Sequence, residues 1–194
     1  MREKFFLPFT PGGRAIEIRA IELKRAHGFG AYAAVDPETL ADAMDAHIVG
    51  REWFTSLPSA LRRAVLVEHS DSWSAGSITV DGRLVVLANP GHPETRRTVT
   101  LLEELVHYGL GHPKSELTER DGVVMRTCRH DVEDEAYAVA TALVMPYRQL
   151  FSHVDAGRPL EELDTPAPVS QACRLFRVKR AGLWRMLQSR MRTA

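Results

Sequence analysis

Thr98-Val99-Thr100-Leu101-Leu102-Glu103-Glu104-Leu105-Val106-His107-Tyr108-Gly109-Leu110-Gly111-His112 is the stretch on which the fold turns. Val99, Leu102, Val106 and Leu110 recur at three- and four-residue steps, the spacing that lines one face of an α-helix. Gly111, followed by Pro113, supplies a stop signal. A helix over 98–110 with a buried inner face is therefore expected. Glu103 and His107 are four residues apart, so the same helix stacks them on one face about one turn from each other. Two side chains so placed can hold one metal ion, and Glu104 beside them could act as general base on a water that the ion activates. By itself the string E-E-x-x-H is weak, because Glu-Glu pairs near a His also occur on solvated helix faces.

Upstream, Ser77-Ile78-Thr79-Val80, Asp81-Gly82 and Arg83-Leu84-Val85-Val86-Leu87 form a hairpin signature with a type I′ turn. Asp36-Pro37-Glu38 opens a helix: the Asp caps, the Pro sits in the first turn, and the Glu favours the positive helix end. Pro11-Gly12-Gly13 reads as a breaker before a helix that Gly28 and Gly30 end. The stretch 51–74 is ambiguous, and its apolar run at 64–68 could form a strand. Downstream, 117–129 reads as a polar loop, and 132–145 as an Ala-rich helix stopped by Pro146. Small side chains on that helix let a neighbour pack closely, and Glu133 and Glu135 near its start can offer a third ligand.

The chain as a whole has 194 residues, 44% hydrophobic and 26% charged, which supports a folded core and excludes a mainly disordered state. Two cysteines, Cys128 and Cys173, make no disulfide scaffold, and no apolar run reaches membrane-spanning length, so a cytoplasmic protein without membrane contact is expected. The net charge of zero argues against a globally basic nucleic-acid binder. That zero is unevenly distributed. Seven of the 25 basic residues lie in 169–194, which has no Asp or Glu, leaving 18 upstream against all 25 acidic residues. Such a tail meets nucleic acid, an acidic partner, or the acidic body itself. The pattern suggests a core over 1–157, a Pro-punctuated linker at 158–168, and a tail at 169–194 resembling a helix-turn-helix. In that tail Ala172, Leu175 and Phe176 would face Leu183 and Leu187, with Lys179, Arg180 and Arg185 exposed.

The order of elements resembles the ImmA/IrrE family of metallopeptidases. There a helical region and short sheet precede a helix of the type H-E-L-G-H-x-x-L-G-H and a second of the type E-A-N-x-F-A-x-x-L-L-M-P. The matching residues are Glu103-Glu104-Leu105-Val106-His107, Leu110-Gly111-His112, and Glu135-Ala136-Tyr137-Ala138 through Val144-Met145-Pro146. The resemblance implies an α+β, mainly helical, zincin-like core with a small antiparallel sheet. It also implies Glu104 as the general base and His107 and Glu135 as metal ligands, with Glu133 the fallback for Glu135. Two positions depart from the pattern: Glu103 stands where the family has His, and Val106 where it has Gly.

Zinc accepts carboxylate oxygen, so Glu103, His107 and Glu135 remain a possible ligand set. Two anionic ligands, however, neutralise a divalent ion and make it a poorer Lewis acid, and oxygen-rich sites shift preference toward manganese. Three outcomes are open: a slow zinc enzyme, a site that recruits His112, His130 or Cys128, or an empty site with Glu103 paired to an Arg. The functional expectation is a metal-dependent endopeptidase. The resemblance implies as its substrate a helix-turn-helix repressor of a stress or mobile-element response. The alternative is an inactive pseudo-peptidase that regulates a repressor or DNA by binding, with the basic tail as the DNA contact.

Overall fold

The structure is a computed structural model describing residues 6–113, 117–120, 123–126 and 130–192. Helix α1 (Pro11–Ala26) begins on the Pro-Gly-Gly stretch expected as a breaker. Pro11 occupies the first turn and the Thr10 hydroxyl accepts from Gly13 N, satisfying a donor the helix itself leaves open. In α2 (Pro37–Ala43) the Asp36 carboxylate caps as expected, accepting from Thr39 N at 2.9 Å.

A two-residue strand β1 (His47–Ile48), a 3-10 turn (Arg51–Ser56) and α3 (Ser59–Arg63) follow. Helix α3 runs directly into a π-helical turn, Ala64–Glu68, where a strand was expected. Local contacts favour the coil: Arg63 Nε donates to Glu68 at 2.9 Å, and Trp73 Nε1 donates to the Val65 carbonyl at 3.0 Å. Strands β2 (Ala75–Val80) and β3 (Arg83–Ala88) make the expected hairpin, with Asp81 and Gly82 both at positive φ, as a type I′ turn requires. The sheet order is β1-β3-β2 with β1 parallel to β3, so the sheet is mixed and not purely antiparallel. Only two residues of β1 pair, too few to leave a periodic signal. Leu84, Val86 and Ala88 of β3 alternate into the core and pack on α4 (Glu94–Gly109).

Helix α4 starts a turn earlier than its apolar pattern suggests, after Pro93. Beyond it, Leu117–Arg120 (β4) and Val123–Arg126 (β5) pair antiparallel where a loop was expected. Helix α5 (His130–Val144) then lies between α4 and α1. Ala136, Ala138, Ala140 and Ala142 are fully buried, and their small side chains let both neighbours approach. Helices α6 (Tyr147–Asp155), α7 (Gln171–Arg180) and α8 (Trp184–Met191) complete the chain.

The C-terminal segments share the same core: Leu160 and Leu163 of the expected linker, and Cys173, Val178, Leu183 and Leu187 of the tail, are all buried in it. Ala172 is exposed; Cys173 and Val178 take the inner positions of α7. Much of the tail's charge is met by the body. Arg174 donates to the Leu160 and Leu163 carbonyls, Arg177 is fully buried against Glu17, Arg180 pairs with Asp134 and Arg190 with Asp155. Among the described residues no helix is long and apolar enough to cross a membrane.

Candidate metal centre

Helices α4 and α5 cross where each carries carboxylates. Val99, Leu102, Leu105 and Val106 hold the buried side of α4 against α5 and the sheet. That burial sets the rotation of the helix and leaves Glu103, Glu104 and His107 on its half-buried flank. Glu103, His107 and Glu133 each offer a ligand atom within 4.8 Å of the others. His107 Nε2 lies 3.4 Å from Glu133 Oε2. Two carboxylates and an imidazole, half-buried and converging, fit a divalent cation in chemistry and spacing.

Of the two carboxylates weighed on α5, Glu133 is the one that meets Glu103 and His107. Glu135, the expected ligand, is engaged elsewhere: Arg19 Nε of α1 lies 3.4 Å from its Oε1, and His112 Nε2 lies 3.4 Å from its Oε2. Among the other candidates, His130 is exposed at the start of α5 and Cys128 lies outside the described residues. His112 joins the site as a neighbour of His107, its Nδ1 3.1 Å from His107 Nδ1 and the two rings edge to face at 5.0 Å.

The local chain explains why His112 arrives there. Gly111 has φ +65°, a left-handed conformation that favours glycine. His112 N donates to the His107 carbonyl at 2.9 Å, and Gly111 N donates to the Tyr108 carbonyl at 3.1 Å. This pair of bonds is a Schellman motif, and it folds His112 back over the last turn of α4. Burial holds the His112 ring below the ordinary histidine pKa, reinforced by His107 and opposed by Glu135, so the ring is neutral at pH 7. A neutral ring has one N–H. Placing it on Nε2, toward Glu135, leaves Nδ1 to accept from His107 Nδ1–H. His107 Nε2 is then the ring nitrogen that would ligate an ion held together with Glu103 and Glu133. This tautomer assignment, made from the bonding network, turns Arg19, Glu135 and His112 into a support that orients the His107 ring.

On this basis His112→Ala lowers zinc affinity by about 10–100-fold, read by competition with a chelating dye. Unchanged affinity would show that His112 does not orient the ligand.

Glu104 is not one of the three converging ligands and is tied to the sheet. Ser77 Oγ of β2 donates to its Oε2 at 2.6 Å. Ser77 carries no motif in the sequence; only the pairing of β2 beside β3 and the packing of β2 on α4 reveal it. Next to Glu103 a cleft of about 380 Å³ opens between Ser74, α4, Tyr137 and the start of α7.

The family description IrrE N-terminal-like domain, peptidase M78, matches residues 65–180. No curated protein and no solved structure matches the chain significantly. The match spans more than half the chain and includes both helices of the carboxylate–histidine cluster, so the chain belongs to the IrrE N-terminal-like family of metallopeptidases.

Proposed function

We propose that this protein is a metal-dependent endopeptidase in which Glu103, His107 and Glu133 hold the ion and Glu104 is the general base. The observation that supports this reading is the convergence of those three side chains beside a fourth, Glu104, held from the opposite side by Ser77. A divalent ion bound there supplies Lewis acidity toward a peptide carbonyl and an attacking water. Glu104 takes the proton of that water and returns it to the leaving amine; the Ser77 hydroxyl bond keeps its carboxylate in one rotamer for both transfers.

Strand β2 is an edge of the sheet, with Ile78 55% and Val80 46% exposed. An extended peptide adding to that edge passes Ser77 and so reaches Glu104. The family resemblance points to a helix-turn-helix repressor as the protein substrate. The test is to incubate the zinc-loaded protein with candidate repressors. One discrete cut, abolished by chelation, is expected, and a cut that survives chelation overturns the reading.

A second reading, a regulator that binds without cutting, is favoured by Glu103 itself. With Glu133 it brings two negative charges to the site, which neutralise a divalent ion and weaken its Lewis acidity. Contact of DNA with the exposed Lys179, Arg185 and Arg192 belongs to this reading and is tested by a salt-titrated mobility shift.

Glu103→His discriminates the two. In the endopeptidase it raises turnover by about tenfold, the effect of ~1.4 kcal/mol on a barrier, because the ion regains net charge. No cleavage before or after the substitution, with zinc far below stoichiometric by mass spectrometry, favours the regulator.

A further inference from the structure

The cleft beside Glu103 contains an arginine that the proposed chemistry does not use. Arg96 lies in the first turn of α4 and lines the cleft with Thr100, Tyr137 and Ser170. It is exposed, and its Nη2 donates to Ser74 Oγ at 2.7 Å. Among the described residues no carboxylate pairs with it. Its guanidinium therefore sits at a hydroxyl-lined wall with donors to spare.

Two independent rulers place this arginine relative to the base. Along α4, eight residues separate Arg96 from Glu104, a rise of about 12 Å. At the start of the edge strand, Ser74 holds Arg96 and Ser77 holds Glu104, three residues apart or at most about 10 Å of chain. The Ala75–Ala88 pair begins the β2–β3 ladder immediately after Ser74, and Asn89 N donates to the Ser74 carbonyl at 2.9 Å, so Ser74 is fixed at the bend where the chain enters the strand.

We propose that Arg96 is a specificity determinant that recognises a carboxylate side chain, Asp or Glu, about three residues from the cleaved bond of the substrate. The inference rests on the endopeptidase reading for the position of the cut. The recognition itself needs only a peptide on the β2 edge. A carboxylate is the planar acceptor that matches a guanidinium fork, and the surrounding Ser and Thr hydroxyls can donate to its remaining lone pairs. The negative charge of Glu103 at the far end of the cleft is directed to the ion triad, so it opposes an acidic residue at the cut more than one three residues away.

The experiment uses the zinc-loaded full chain and a peptide library varied at the positions flanking the cut, read by mass spectrometry. Wild type is expected to favour Asp or Glu about three residues from the cut over Gln by about tenfold or more. Arg96→Gln flattens that preference, and Arg96→Glu inverts it toward Lys. Arg96 is exposed, so both variants are expected to keep the wild-type melting temperature. Cleavage with no acidic preference, or a preference that Arg96→Glu leaves unmoved, overturns this proposal and leaves the endopeptidase standing. If wild type cleaves nothing, the endopeptidase reading falls, and fluorescence anisotropy of Glu- and Gln-bearing peptides decides the recognition separately. Tenfold tighter binding of the Glu peptide, lost in Arg96→Glu, supports it; equal or absent binding overturns it.

Discussion

Glu104→Gln is expected to lower kcat on a cleaved substrate by about 10²–10⁴-fold while leaving zinc affinity within a few-fold of wild type. The amide keeps the size and planarity of the carboxylate, and its carbonyl oxygen still accepts the Ser77 hydroxyl that now meets Oε2 at 2.6 Å. It has no site of useful basicity. Helix α4 is undisturbed, because Glu104 is half-buried on its flank and the helix is held by Leu101, Leu102, Leu105 and Val106. Glu104 also lies outside the group Glu103, His107 and Glu133, so the substitution removes no ligand. The two readouts are thus expected to separate. Equal loss of turnover and zinc would make Glu104 a ligand, and unchanged turnover would remove it as the base.

The parts of this architecture that were legible in the sequence are those decided within a few residues. The Asp36 cap, the Asp81-Gly82 turn and the apolar stripe of α4 are local contracts between neighbours, and each forms as its residues demand. The Glu103–His107 pair is also local, since one helix sets both positions. Glu133 against Glu135 is a different problem. Two residues apart on a helix turning about 100° per residue, they point to opposite sides. Which one meets His107 depends on how α5 is rotated against α4, and that rotation is set by the burial of Ala136, Val139, Ala140 and Leu143 between three helices.

The segment at 64–68 is ambiguous in the sequence for a related reason. A run of Ala-Val-Leu-Val is apolar enough for a strand, yet strands need a partner. Here the carbonyls are taken up by the coil itself and by Trp73. The tail shows the same limit for charge. Seven cations with no anion between them leave open whether they meet nucleic acid, a partner or the acidic body; Arg177 finds its carboxylate in the body, on Glu17, 160 residues earlier in the chain.

That distant pair supports the second large effect: Glu17→Ala is expected to destabilise the fold by about 3–5 kcal/mol, whereas Lys24→Met is expected to stabilise it at pH 7. Glu17, Lys24 and Arg177 are all fully buried. Glu17 accepts from Arg177 Nη2 through Oε2 and from Tyr147 N at 3.0 Å through Oε1, while Arg177 Nε donates to the Met145 carbonyl at 3.0 Å. The single carboxylate thus joins α1, the α5–α6 junction and α7. Its removal strands two cations away from water, and a loss of that size is a large part of the stability of a domain of this length.

The cluster has one anion for two cations, so Lys24 is the surplus charge. Burial pushes its pKa from 10.5 down to about 8, opposed by Glu17 and reinforced by Arg177. Between those values the unfolded chain binds the proton more tightly than the folded one, so the Lys24 contribution to stability rises as pH climbs from about 8 toward 10.5; above pH 9 the buried Cys173 thiol, pushed up from 9.0 to about 11, opposes it. Below that window the charged ammonium is carried in the folded state at a penalty of about 3 kcal/mol, the equivalent of the shift. Lys24→Met removes both the penalty and the rising contribution to the slope. It gives up one bond, Lys24 Nζ to the Ala33 carbonyl at 3.2 Å, which offsets only about 1 kcal/mol of the gain. Urea melts between about pH 7 and 9, below the range in which the Cys173 thiol and the tyrosines contribute most, measure the two variants against wild type. A Lys24→Met protein that is less stable than wild type at pH 7, or that keeps the rising slope, would show that Lys24 is not the surplus charge.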